Sequence, residues 1–224
     1  MSEGACITAV CVVHEIRPDP FGPEPYTAID KRAVSGRVEV GPLGVSGDTQ
    51  CDRLHHGGIY QAVYAYADED AAWWARELDR EVPPGLFGDN VRTRGVDVTG
   101  AEIGERWRIG DGNGALVVEV TSPRIPCRTF AGRMGEERWI KRFTDHGAPG
   151  AYLRVIEPGD IAAGDPVEVV HRPGHGITVG DVFLRAEPRV MRRLLDVAYS
   201  DSLDLSPALR SYAVKVAAQN DRSA

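Results

Sequence analysis

Arg172-Pro-Gly-His-Gly-Ile-Thr-Val179 is the stretch on which the fold turns. Upstream of it, apolar residues recur with a period of two, the spacing at which side chains of a strand return to one face. Downstream the period lengthens. Val190, Met191, Leu194, Leu195 and Ala198 form one helical stripe, and Leu209, Tyr212, Ala213, Val216 and Ala217 form another, because residues three and four apart share a helix face. Ser206 followed by Pro207 marks the start of the second helix, a hydroxyl cap ahead of a proline whose missing N–H is no loss in a first turn. The chain thus divides into a strand-rich body, residues 1–172, and a small helical unit, residues 173–224. The unit packs on the body or, in a homodimer, on a second copy, with core packing the favoured use.

Outward from that point, Ala5-Cys-Ile-Thr-Ala-Val-Cys-Val-Val13 is nearly continuous and rich in β-branched residues, as a strand buried on both faces is. Strands are predicted around 33–40 and over 61–67, where Val63 alternates with tyrosines, and further ones over 106–109, 115–120, 152–156 and 167–170, each of these four bounded by Gly, Pro or Asp. Asp68 is placed to cap a helix whose first turn carries Glu69 and Asp70, next to the positive end of the helix dipole. Ala71, Trp74 and Leu78 share its apolar face, and Pro83-Pro84-Gly85 stops it. With 25 glycines and 15 prolines spread along 224 residues, the prediction is a mainly β fold with some α, its strands short and its turns many.

A net charge of -7 argues against a general nucleic-acid or anionic-membrane binder, which needs a positive surface. No apolar run approaches the roughly 20 residues that span a bilayer, and Glu3 stands where a signal peptide carries basic residues. A cytoplasmic protein is expected. The cysteines, Cys6, Cys11, Cys51 and Cys127, lack C-x-x-C spacing and read as free thiols in a reducing compartment.

The most informative chemistry lies in Ser122-Pro-Arg-Ile-Pro-Cys-Arg128. Pro123 and Pro126 stiffen the backbone, so Cys127 is presented on a rigid loop after a strand. Arg124 and Arg128 would stabilise its thiolate, the form that attacks electrophiles and binds soft metals. Taken alone, the stretch fits equally a buried cysteine serving as a small hydrophobe. Gly47-Asp-Thr-Gln-Cys-Asp-Arg-Leu-His-His-Gly-Gly58 offers glycines that let backbone N–H groups approach an anion, although turn geometry alone explains them too. In Phe87-Gly-Asp-Asn90 the Asn90 amide can be aimed into a cavity. Lys31 and Arg154 can each hold a phosphate, though isolated basic residues are more often solvated. His171 and His175 are separated by Pro173-Gly174, which prevents the helix that would align them on a metal. No Walker loop, dinucleotide-binding turn, nucleophile elbow or H-E-x-x-H sequence is present.

Taken in order, these pieces resemble the MOSC family, the domain found at the C-terminus of molybdenum cofactor sulfurases, and in particular its stand-alone bacterial hydroxylaminopurine-resistance branch. The matching features are Thr27-Ala-Ile-Asp-Lys31, Gly47-Asp-Thr-Gln50, His56-Gly-Gly58, Phe87-Gly-Asp-Asn90, Ser122-Pro-Arg-Ile-Pro-Cys127, Gly150 to Val155 and the 172–179 stretch. The resemblance implies a distorted β-barrel followed by a three-helix unit. It also implies a pyranopterin molybdenum cofactor whose metal is held by the Cys127 thiolate, with Lys31, His56, Gly57, Gly58, Asn90, Arg124 and Arg154 as cofactor-binding residues. The chain departs from the family pattern at Ile59-Tyr60-Gln61-Ala62, where a Pro-Asp-Lys/Arg-Ala segment is usual, and at Asp89, where Glu is common.

What the resemblance implies for function is an oxidoreductase that reduces N-hydroxylated bases or amines, with Cys127 as catalytic residue and metal ligand. The sequence carries no flavin, haem or iron–sulfur fingerprint, so the electrons are expected from a separate reductase. Two alternatives use the same residues: a sulfur-transfer protein with a persulfide on Cys127, and a non-catalytic carrier of the cofactor.

Overall fold

The strand that opens the chain, β1 (Cys6–Pro18), is the spine of the fold. The structure, a computed structural model, describes residues 4–112, 114–184, 186–200 and 203–219. After β1 come β2 (Tyr26–Val34), β3 (Val38–Gly41), β4 (Gly44–Val45), a 3-10 turn (Ile59–Gln61), β5 (Val63–Ala67), α1 (Asp68–Glu77), β6 (Val91–Arg94), β7 (Arg106–Ile109) and β8 (Leu116–Pro123). The chain continues through α2 (Arg128–Met134), α3 (Trp139–His146), β9 (Ala151–Glu157), β10 (Gly159–Ile161), β11 (Val167–His171), α4 (Val179–Leu184), α5 (Pro188–Ser200) and α6 (Pro207–Ala217).

Eight strands form one sheet in the order β11-β7-β8-β9-β5-β6-β1-β2, and β10, β3 and β4 form a second, small one. In the large sheet β5 and β6 run parallel while the other neighbours are antiparallel. The fold is therefore sheet-dominated with several helices, as expected, but the sheet is not closed into a barrel. β1 meets the approach to β11 through a single bridge, Cys6 to Pro166, flanked by Ile7 N–H to Asp165 O at 2.8 Å and Val167 N–H to Ala5 O at 2.9 Å. Cys6 and Pro166 face each other at a non-hydrogen-bonded position, so the missing proline N–H breaks neither of these bonds.

The predicted 33–40 strand is two strands. Gly36 takes φ +83, a left-handed turn that glycine adopts without a Cβ clash, and β2 and β3 on either side enter different sheets. Helix α1 starts where predicted, but Ala67 is the cap residue and Asp68 is already helical. Asp68 instead pairs with Arg94 at 3.2 Å.

Two cores flank the large sheet. The first joins Val63, Ala65, Trp107, Leu116 and Val118 to Met191, Leu194, Leu209 and Ala213, so α5 and α6 share one apolar cluster with the strands. The second is aromatic, with Tyr64, Tyr66, Trp74, Phe87, Phe130, Trp139 and Phe143 gathered under α1, α2 and α3. Strand β5 lies between them and is buried throughout. Burial of each such large side chain contributes roughly 1.5–3 kcal/mol. Ser206 Oγ accepts the Leu209 N–H at 3.1 Å with Pro207 behind it, the cap expected of that dipeptide. His175 is a structural loop residue: its Nε2 lies 2.8 Å from Ile103 O, and its Nδ1 accepts the Ile177 N–H at 3.0 Å. No helix among the described residues is long and apolar enough to cross a membrane.

Candidate functional site

Beneath the end of β8 lies a cavity of about 480 Å³ whose lining includes Lys31, His56, Asn90, Arg124, Cys127 and Tyr152. That size suits a small molecule or cofactor. The aromatic core backs it through Tyr64 and Phe87. Cys127 reaches it from the loop between β8 and α2, in extended backbone (φ −119, ψ 174) as the residue before the first turn of α2. Prolines at 123 and 126 limit how far that loop can shift.

Burial pushes the Cys127 thiol up, but it is overcome by hydrogen bonding with the His56 side chain, by the Arg124 guanidinium and by the Phe130 N–H in the first turn of α2, which together bring it down to about 7. His56, Arg124 and the Phe130 N–H thus favour the thiolate form of Cys127. By contrast, burial pushes the Cys11 thiol up to about 12, and burial with the nearby Glu24 and Asp19 carboxylates raises Cys51. His56 is itself backed by the Tyr152 hydroxyl, 3.5 Å from its Nδ1.

Arg124 is 4% exposed. Its guanidinium lies over the Phe130 ring at 4.0 Å and faces Tyr64 at 5.9 Å, yet its buried Nη1 has no hydrogen-bond partner among the described residues. A buried guanidinium N–H without an acceptor is costly, so the cavity wall offers an anion a ready donor.

Lys31 and Asn90 line the same cavity but are already engaged. Lys31 Nζ donates to Asp48 Oδ2 at 2.7 Å. The Asn90 amide donates to Asp48 Oδ2 at 2.9 Å and to Cys11 O at 3.2 Å, while its oxygen accepts the Tyr64 N–H at 3.2 Å. Asp48 is the residue that sequence reading passed over; it stands inside the quoted 47–50 stretch, but its partners are 17 and 42 positions away. Tyr152 was likewise visible only as the start of a strand. Gly57 lines the cavity with φ +82, whereas Gly58 and Arg154 are not among its lining residues. Arg154 is instead paired with Glu119 at 2.7 Å and with Asp204. Asp89 is fully buried against Arg92, with Arg92 Nε to Asp89 Oδ2 at 3.1 Å, and it also accepts the Gly85 N–H at 3.0 Å. It is a structural residue of the Phe87–Asn90 turn.

The MOSC domain model matches residues 52–168, just over half of the chain. The chain belongs to the MOSC domain family. This MOSC protein is 31% identical to YflK of Bacillus subtilis over 68% of its own length and 67% of that protein's, and 31% identical to YiiM of Escherichia coli over 65% of each. A Gibberella moniliformis protein named reductase is 30% identical over 70% of this chain, but the chain spans only 28% of it. Among solved structures, YiiM from Geobacillus stearothermophilus superimposes with a TM-score of 0.75 at 23% identity, covering 96% of this chain and all of that one, a likeness of fold. YiiM from Escherichia coli gives a TM-score of 0.67 at 25% identity, over 90% of this chain and 92% of that one.

MOSC domains are associated with binding the molybdenum cofactor, and the residues of this MOSC cavity fit such a group. They offer one soft thiolate ligand and an unmatched guanidinium donor suited to a phosphate. Among the described residues no group of three or more His, Cys, Asp or Glu is arranged around a metal position.

Proposed function

We propose that this chain holds a pyranopterin molybdenum cofactor in the cavity, with Cys127 Sγ as the protein ligand, and reduces N-hydroxylated bases or amines to the amine. The observation that carries the reading is the Cys127 thiol, held down at about 7 by His56 and Arg124 at the wall of a cavity of cofactor size. When bound, the cofactor would supply the two electrons for cleaving the N–O bond, with two protons taken up and the hydroxyl oxygen leaving as water. Cys127 would hold the metal as a thiolate. Arg124 would give its unpaired Nη1 to the cofactor phosphate, while Lys31 lines the same cavity with its charge matched by Asp48. His56, between Tyr152 and Cys127, is placed to hold a proton at its ring nitrogen, and Tyr64 and Phe87 exclude water from that side. The kinship to a protein named reductase supports the reaction class. Electrons would come from a separate reductase partner.

Molybdenum and pterin content of protein from cofactor-competent cells, alongside Cys127→Ala, tests the reading. Near-stoichiometric metal, lost in the variant, with reduction of an N-hydroxylated purine by a chemical donor, is the expected result. Metal-free protein carrying cyanide-labile sulfur on Cys127 would replace it with sulfur transfer. Bound pterin without turnover would make the chain a carrier.

A further inference from the structure

We infer that Tyr60, Arg154 and Asp204 form a clasp through which the residues leading into α6 position His56 against Cys127. As a statement about positioning residues, this rests on the reading of Cys127 as the working thiolate.

His56 is followed by Gly57 and Gly58, both at positive φ (+82 and +78), so the two residues next to it have no side chain with which to fix the loop. On the upstream side Arg53, Leu54 and His55 are exposed, and the turn closes on itself. The His56 N–H donates to Asp52 O at 3.0 Å and the Leu54 and His55 N–H groups to Asp52 Oδ1 at 3.2 Å, so none of these bonds ties the turn to the rest of the fold. The first firm anchor downstream is Tyr60, and it is held at both ends. Its carbonyl accepts the Thr121 hydroxyl at 2.6 Å, and its own hydroxyl lies 3.0 Å from both oxygens of Asp204. Arg154 completes the clasp: its guanidinium lies 5.8 Å from the centre of the Tyr60 ring, ion-pairs with Asp204, and pairs with Glu119 at 2.7 Å. Asp204 is fixed in turn, because Leu205 and Ser206 beside it are buried and Ser206 caps α6.

The same framework touches the other partner of His56. Tyr152 and Arg154 are two apart on β9 and share a face of that strand, and Thr121 Oγ also lies 2.9 Å from Tyr152 O. One side of β9 thus carries both the tyrosine that faces His56 and the arginine that grips Asp204. Asp204, just ahead of α6, thereby holds Tyr60, 144 residues away and four positions from His56.

The test is the site-resolved alkylation rate of Cys127 at neutral pH with iodoacetamide, read by mass spectrometry on the full chain purified without cofactor. Tyr60→Phe removes only the hydroxyl, and Asp204→Asn removes only the charge; should one fail to fold, the other still decides. Each is expected to change the rate by about threefold or more, in the direction that His56→Ala changes it, and to change nothing further when added to His56→Ala. Wild-type rates in both variants, or effects that add in full to His56→Ala, would overturn the clasp. Alkylation needs neither metal nor pterin, so coupling in a protein that never loads molybdenum would keep the clasp and remove the molybdenum reading, and loading without coupling would do the reverse.

Discussion

Lys31 Nζ lies 2.7 Å from Asp48 Oδ2, and that carboxylate is where four segments of the chain meet. It also accepts from the Val13 N–H at 3.0 Å, the Gln50 amide at 3.3 Å and the Asn90 amide at 2.9 Å. Lys31 is 8% exposed and Asp48 2%, so each charge needs the other: burying an ammonium alone costs far more than the pair returns. Asp48→Ala strands Lys31 and three further donors. The expected cost is about 3–5 kcal/mol of stability in urea denaturation, with Asp48→Asn costing less because an amide oxygen still accepts. A loss under about 1 kcal/mol, typical of surface pairs, would contradict this account.

The Cys127 thiolate depends on charge from Arg124 as well as on His56. Arg124→Gln removes that charge, so the thiol should titrate higher, moving from about 7 toward its ordinary 9 by about one unit. Site-resolved alkylation against pH measures this. An unchanged midpoint would show that the guanidinium has no hold on the sulfur.

Asp70, in the first turn of α1, titrates high because burial, and then the neighbouring Glu69 and Asp97, raise it from 3.8 to about 6. The folded carboxyl is the weaker acid, so its ionisation opposes folding: stability falls as pH rises from about 4 to about 6 and stays lower above that. Asp70→Asn should therefore stabilise the protein by roughly 1–3 kcal/mol near pH 7 and by almost nothing near pH 4. Urea midpoints at the two pH values decide it, and a gain of equal size at both would rule out the carboxyl's ionisation as the cause.

Ser206 Oγ accepts the Leu209 N–H at 3.1 Å and is the N-cap of α6. Ser206→Ala should cost about 1 kcal/mol, measured as a shift in the thermal midpoint, and Ser206→Asp should restore most of it. Because Ser206 is next but one to Asp204, the Ser206→Ala protein should also lose order at the clasp, seen as faster exchange of the Gln61 amide, which donates to Gly58 O at 3.1 Å.

Periodicity revealed most of the elements, and it failed in instructive places. The 106–109 strand appears as read, and 167–170 is one residue longer. The alternation of Val63 with the tyrosines was read as an ordinary strand pattern, whereas Val63 and Ala65 enter one core and Tyr64 and Tyr66 the other. An alternation tells which side chains share a face, and not how many faces are covered. The short helices α2 and α3, between Arg128 and His146, carried no assignment because seven or eight residues give too few turns for a helical period to stand out.

The sequence by itself determined the order of strand-rich body and helical tail, the cap at Ser206, the stiff loop that presents Cys127, and the likeness to MOSC proteins. Those are local facts, set by residues that are neighbours in the chain. Only the tertiary structure decided that the sheet meets itself at a single bridge at Pro166, that Asp48 neutralises Lys31, and that Arg154 turns away from the cavity to Asp204. A strand's pattern gives the face of a charged side chain and leaves its partner open. The partner is whichever opposite charge the fold brings within reach, here 17 residues away for Lys31 and 50 for Arg154, and buried charges require that pairing wherever it comes from.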